Sequence, residues 1–99
     1  MNINAKRYLE KIRGKLTLGK AIRSIRLCEE ESQTAFAKKL KISTQYLCDL
    51  EHNRKIVSPK KAKKMAEILG YSSEQFVALA IQDSLDHDHI PMLVEVKAA

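Results

Sequence analysis

The chain has 99 residues and a formal net charge of +6, with 18 Lys and Arg against 12 Asp and Glu. This length supports one domain, and two cysteines are too few for a disulfide scaffold. No apolar run reaches the roughly 18 residues that a membrane span needs, and no secretory leader is visible. We therefore expect a cytoplasmic protein that does not enter a membrane.

The charge is unevenly distributed along the chain. Residues 1–64 hold 17 Lys and Arg against 6 Asp and Glu, whereas residues 65–99 hold 1 against 6. An excess of positive charge confined to one part of a chain favours binding to a polyanion. We expect the first two thirds of the protein to face such a partner.

Residues 1–16 combine basic side chains with apolar residues at roughly helical spacing. A short amphipathic helix from about Asn4 to Arg13, ended by Gly14, fits this pattern. Two interpretations remain open. The segment is either a basic arm that contacts a phosphate backbone, or a helix packed on the body of the protein or on a partner subunit.

The first core helix is expected from about Leu18 to Glu29, because Leu18, Ile22 and Ile25 recur on one face. The next stretch, residues 32–54, predicts two short helices joined by a tight turn. Ser32 and Ser43 can cap these two helices. The turn leaves no room for an antiparallel return, so the two helices must cross steeply.

The second of these short helices runs from about Thr44 to His52 in our prediction. At 100° per residue, Leu47 and Leu50 share the inward face. The opposite arc includes Thr44, Gln45 and Asp49. These polar side chains are therefore candidates for contact with a partner.

Two longer helices are expected to complete the domain. The fourth opens with Ser58 and Pro59, a favoured start, and closes at Gly70. The fifth runs from Ser72 to about residue 85, with apolar residues on more than one side. Such a helix needs a second surface beside the domain core, either another subunit or the N-terminal segment.

The tail, residues 86–99, contains an alternation of apolar residues that predicts a short strand. The simplest partner for a lone strand is a second copy of the chain across a two-fold axis; the alternative is a frayed terminus. The expected dimer contacts are Phe76, Leu79, Met92, Val94 and Val96. Asp86, His87, Asp88 and His89 lack the spacing of a known zinc site, so we expect neither metal nor cofactor.

Seven positions carry a resemblance to a known family: Gln33, Ala37, Leu40, Ile42, Leu47, Leu50 and Glu51. Their types and spacing resemble the helix-turn-helix of the lambda-repressor-like family, the Xre and Cro type, and the resemblance covers roughly residues 17–70. Lys41 and Asn53 depart from the pattern, because the family usually has Gly at both places. The resemblance implies an all-α fold with a five-helix DNA-binding domain over residues 17–85. A basic arm or helix over 1–16 would precede it, and a tail with a dimerisation strand over 86–99 would follow.

The resemblance also implies residue roles. Thr44, Gln45 and Asp49 would read base edges in the major groove, and Arg26 would pair with Glu51, which closes the recognition helix. The expected phosphate contacts are Gln33, Ser43, Tyr46, Asn53, Arg54 and Lys55.

The leading hypothesis is a transcription regulator, expected to act as a repressor, that binds a near-palindromic site in double-stranded DNA as a homodimer. The alternative is an antitoxin that neutralises a partner toxin and binds DNA to regulate its own operon. An enzyme is not expected, because no catalytic motif or Gly-rich phosphate loop is present.

Overall fold

The computed structural model describes residues 16–99 of the chain. The expected arm or helix over residues 1–16 lies outside this range except for Leu16. The described helices are α1 (Leu18–Cys28), α2 (Gln33–Leu40), α3 (Thr44–Glu51), α4 (Pro59–Leu69) and α5 (Ser73–His87). The all-α architecture of five core helices that we expected is confirmed.

Each of the five helices begins directly after a hydroxyl side chain that caps it. In every case the side-chain oxygen accepts a hydrogen bond from the backbone N–H three residues further on, which would otherwise lack a partner. The capping residues are Thr17, Ser32, Ser43, Ser58 and Ser72. Short-range chemistry thus sets the five helix starts.

A non-glycine residue in the left-handed conformation follows four of the described helices within two positions: Glu30 (φ 56°), Lys41 (φ 60°), Asn53 (φ 59°) and His89 (φ 58°). After α2, the backbone N–H of Ile42 donates to the carbonyl oxygen of Ala37 at 3.0 Å, and that of Lys41 donates to Lys38 at 3.1 Å. This pair of bonds defines a Schellman motif. It changes the direction of the chain within the three residues between α2 and α3 and places the start of α3 beside the end of α2.

The apolar faces of all five helices, together with Val57, form one core. Helix α3 contacts α1 and α2, while α5 packs along α4 and also reaches α1. The largest fully buried side chains are Phe36, Leu18, Ile22, Leu47, Leu50 and Met65. Two of these six belong to α3, so the core holds this helix by its inner face.

Gln82, on α5, binds the backbone of the C-terminal tail. Its Nε2 donates to the carbonyl oxygen of Met92 at 2.8 Å, and its Oε1 accepts from the N–H of Val94 at 2.8 Å. Residues 90–99 have no regular secondary structure, and residues 16–99 contain no strand. The inter-subunit strand therefore remains a prediction. Within a single chain, the Gln82 amide binds the backbone hydrogen-bonding groups on one edge of the tail, at Met92 and Val94.

Helix α5 uses more of its apolar surface inside the domain than we expected. Phe76 is 3% exposed and belongs to the core, and Leu79 packs against it, partly buried. Because a buried side chain cannot contact a second subunit, the expectation that Phe76 serves dimerisation is wrong. In the tail, Met92 and Leu93 are the large exposed apolar residues. The helix ends at His87, two residues beyond the expected limit.

The left-handed Lys41 yields a stability prediction. Glycine adopts this conformation without the steric cost that a Cβ brings, but it has more conformational freedom to lose on folding. We expect Lys41→Gly to raise the free energy of unfolding by about 0.5–1 kcal/mol, measured by urea denaturation. The matched control is Lys63→Gly, at an exposed interior position of α4. It should lower the free energy by about 1 kcal/mol. A loss in both variants would contradict this account of the turn.

Candidate nucleic-acid interface

Helix α3 is buried on one side and open on the other. Leu47 and Leu50 are 0% and 1% exposed, whereas Thr44 and Gln45 are exposed at its N-terminal end. The cap on Ser43 fixes this end, because its Oγ accepts from the backbone N–H of Tyr46 at 3.0 Å. The two polar side chains that we expected to read bases therefore lie on the accessible surface of a fixed helix end.

The C-terminal end of α3 is held by a buried ion pair. Arg26 Nε donates to Glu51 Oε2 at 2.7 Å, and Arg26 Nη2 donates to Oε1 at 2.9 Å, so the pair is bidentate. The Glu51 side chain is 1% exposed and that of Arg26 is 11% exposed. Gln33 Nε2 adds a third bond to Glu51 Oε1 at 3.1 Å. One carboxylate thus joins α1, α2 and α3.

This arrangement keeps both groups ionised at neutral pH. Burial alone would raise the pKa of Glu51. The hydrogen bonds from Arg26 and Gln33, together with the nearby positive charge, outweigh burial and hold its pKa below the ordinary value of 4.5. The hydrogen bond to Glu51 in turn raises the pKa of Arg26 above its usual value.

Gly19 allows α1 to approach the end of α3, a feature that sequence reasoning missed. A Cβ added at this position would lie 1.8 Å from the carbonyl oxygen of Leu50 and 3.0 Å from Oδ1 of Asn53. Any larger side chain would therefore force the two helices apart. Next to it, the Thr17 hydroxyl donates to Asn53 Oδ1 at 2.6 Å. Asn53, expected to contact phosphate, thus also joins the loop after α3 to the start of α1.

Asp49 is bound to two neighbours on the open side of α3. Its Oδ1 accepts from Gln45 Nε2 at 3.1 Å and from Arg54 Nε at 2.9 Å. The hydrogen bond from Arg54 is the main reason that the pKa of Asp49 lies below its ordinary value. All three side chains had been expected to contact DNA separately, and the structure brings them together.

The remaining residues expected to contact phosphate lie on α2, at the start of α3 and in the loop after it. Gln33 lies in the first turn of α2 with its amide on Glu51. Ser43 caps α3, and Lys55 is exposed in the following loop. The ring of Tyr46 is half-buried, and Lys61 Nζ lies 4.5 Å from its centroid in a cation–π contact. Lys61 therefore places a positive charge beside the N-terminal half of α3.

No helix among residues 16–99 combines the length and apolar character needed to cross a membrane. The same residues hold no cluster of three or more His, Cys, Asp or Glu side chains suited to a metal ion.

The helix pair α2–α3 has the geometry of a DNA-reading motif, since its second helix is buried on one side and presents polar side chains at its N-terminal end. The protein is a helix-turn-helix DNA-binding protein. It matches the family model for the helix-turn-helix of the Xre and lambda-repressor type over residues 22–76, which is more than half of the chain. The chain therefore belongs to this family of DNA-binding transcription regulators. No curated protein and no solved structure matches it.

Breaking the buried pair on one side should cost more than removing it entirely. Glu51→Ala leaves the guanidinium of Arg26 buried without a counter-charge, and we expect a loss of about 3–5 kcal/mol in the free energy of unfolding. In the double variant Arg26→Met/Glu51→Leu neither charge remains, and we expect most of that loss to be recovered. Denaturant titration of the wild type, Glu51→Ala, Arg26→Met, Glu51→Leu and the double variant measures these losses and the coupling between the two positions. Equal losses in the single and double variants would refute it.

The lowered pKa of Glu51 also predicts how stability depends on pH. The unfolded chain takes up a proton at Glu51 more readily than the folded protein does, so acid favours unfolding. The stabilisation is fully present above the ordinary value of 4.5 and is lost as the pH falls through the lower folded value. Between pH 7 and pH 3, the wild type should lose more stability than Arg26→Met/Glu51→Leu. Parallel losses would show that Glu51 does not contribute.

Proposed function

We propose that the protein is a transcriptional repressor that acts in the cytoplasm and binds a near-palindromic operator as a homodimer. Thr44 and Gln45 read base edges in the major groove, and the loop after α3 contacts phosphates. The observation that carries this proposal is the orientation of α3. Its inner leucines and its last residue are fixed in the core, so its exposed N-terminal end is the part that can enter the groove.

The chemistry of the two readers suits this role. Gln45 has both a donor and an acceptor, which match N7 and N6 of adenine. Thr44 offers a hydroxyl and a methyl group, and the methyl can contact that of thymine. Gln33, Ser43, Tyr46, Asn53, Arg54 and Lys55 are proposed to contact the phosphate backbone. Such contacts position the protein without reading sequence.

The dimer is proposed to form through the tail. Gln82 fixes the backbone of Met92 and Val94 in an orientation from which a second copy can pair with the opposite edge. Met92 is 64% exposed, and such a side chain gains from being covered. Leu79, Val94 and Val96 are the other proposed contacts. A two-fold dimer would place two α3 helices about 34 Å apart on successive turns of DNA.

The second candidate is an antitoxin whose tail binds a toxin instead of a second copy. Large apolar side chains are exposed at Ile68 and Tyr71, near the end of α4, as well as at Met92 and Leu93. A toxin that covered these residues would leave α3 free to regulate the operon. A stable homodimer in the absence of any partner favours the plain repressor. A gene for a small toxin next to this one favours the antitoxin.

Gln45→Ala tests the reading role. We expect it to weaken preference at one base pair of a selected operator, by about 1–3 kcal/mol, measured by gel shift against all four base pairs at each position. Lys55→Ala should instead weaken binding to every sequence and reduce the slope of log K against log salt by about 1. Gln75→Ala, an exposed glutamine in the first turn of α5, is the matched control and should change neither. Equal weakening on all sequences by Gln45→Ala would exclude a reading role.

Met92→Lys/Val96→Lys tests the dimer. The wild type should sediment as a dimer at tens of micromolar, and the double variant should sediment as a monomer, because a second copy would bury the added charges. Leu27→Lys is the matched control, since Leu27 is 51% exposed on α1, and it should remain dimeric. A monomeric wild type, or a dimeric double variant, would remove the tail from the proposal.

A further inference from the structure

The three linked side chains on the open side of α3 are arranged around one oxygen atom. Asp49 Oδ1 accepts from Gln45 Nε2 and from Arg54 Nε, while Asp49 is 17% exposed and Arg54 is 52% exposed. Gln45 and Asp49 are four residues apart and so lie one above the other on the helix. The carboxylate therefore faces its own chain rather than the space in front of the helix.

We propose that Asp49 is not a base reader but a positioning residue, which fixes the orientation of the Gln45 amide and restrains Arg54. This inference rests on the proposed function, because it requires Gln45 to read a base. It adds that the specificity of Gln45 is set by a second residue, which does not touch DNA.

The effect on Gln45 follows from the chemistry of the two groups. An ionised carboxylate can only accept hydrogen bonds, so the amide must turn its NH₂ group toward Asp49. The carbonyl oxygen Oε1 and one N–H then remain for DNA. Adenine matches this arrangement, because its N6 amino group donates and its N7 accepts.

Guanine is rejected by the same arrangement. It presents two acceptors in the major groove, O6 and N7, and a fixed Oε1 would face one of them. A glutamine that is free to rotate could turn its NH₂ group to guanine instead. By fixing the Gln45 amide, Asp49 makes its contact with guanine unfavourable, and discrimination against a competing base requires such an unfavourable contact.

The effect on Arg54 concerns general affinity. With Nε bound to Asp49, the charge of Arg54 is largely neutralised, and its guanidinium is held beside α3. Without Asp49, the full positive charge of Arg54 would act on the phosphate that it is proposed to contact, which would strengthen binding to any sequence and make it more salt-dependent. Asp49 therefore weakens sequence-independent binding to DNA while it increases the preference of Gln45 for adenine.

The test uses the full-length protein, an operator selected from random DNA with the wild type, and a duplex of unrelated sequence. Gln45→Ala first identifies the base pair that Gln45 reads. Affinities of wild type, Asp49→Ala, Asp49→Asn and Gln45→Ala/Asp49→Ala are then measured with adenine or guanine at that position, over a range of salt concentrations. Thermal melts establish that each variant is folded.

We expect the wild type to prefer adenine over guanine there by about tenfold or more, and Asp49→Ala to reduce this preference below about threefold. The double variant Gln45→Ala/Asp49→Ala should lose no more of this preference than Gln45→Ala alone. On the unrelated duplex, the salt slope of Asp49→Ala should be steeper by about 1. Asp49→Asn keeps an acceptor without the charge, so it should retain the preference while its salt slope steepens.

Three results would overturn the inference while leaving the proposed function intact. Asp49→Ala could weaken preference at a different base pair, which would make Asp49 a reader. The losses in Asp49→Ala and Gln45→Ala could add in the double variant, or Asp49→Ala could leave both preference and salt slope unchanged. Failure of the wild type to select any sequence would overturn the proposed function and the inference together.

Discussion

An eight-residue helix has almost no stability of its own in water, where isolated helices need roughly 12–15 residues to persist. Helix α3 therefore exists only because the rest of the domain holds it. Leu47 and Leu50 are buried along its inner side, and the carboxylate of Glu51 is bound by Arg26 from α1 and Gln33 from α2. The apolar contacts provide most of the free energy. The ion pair fixes the direction of the helix, because desolvation offsets much of its attraction.

Two carboxylates on α3 have opposite surroundings, and both matter for a protein that approaches DNA. Glu51 is buried and points into the domain, whereas Asp49 lies on the open side and is bonded to Arg54 in the loop after α3. An uncompensated negative charge in either place would be costly, in the first case through desolvation and in the second through repulsion from phosphates. Each is paired with an arginine, Arg26 or Arg54, and the attraction within the pair offsets part of this cost. Charge pairing within the domain therefore compensates both carboxylates of α3.

Much of the fold could be predicted from the sequence, because helix starts depend on caps that act over three residues and core faces depend on helical spacing. Contacts between segments that are distant in the sequence could not be predicted in this way. The close approach of Gly19 to Leu50 depends on how two helices cross, and no local pattern in α1 reveals it. The spacing of Gln45 and Asp49 was visible, but rotamers decide whether they face DNA or each other. Phe76 was misassigned because periodicity shows that a residue is apolar, not which surface covers it.

The proposed function depends on one geometric requirement: the N-terminal end of α3 enters the major groove while its C-terminal end stays fixed in the core. The most direct measurement is a crystal structure of the protein bound to an operator selected from random DNA. We expect Gln45 within hydrogen-bonding distance of a base edge, with the bond between Arg26 and Glu51 unchanged. A complex in which α3 faces solvent, while another element of the chain occupies the groove, would contradict the account.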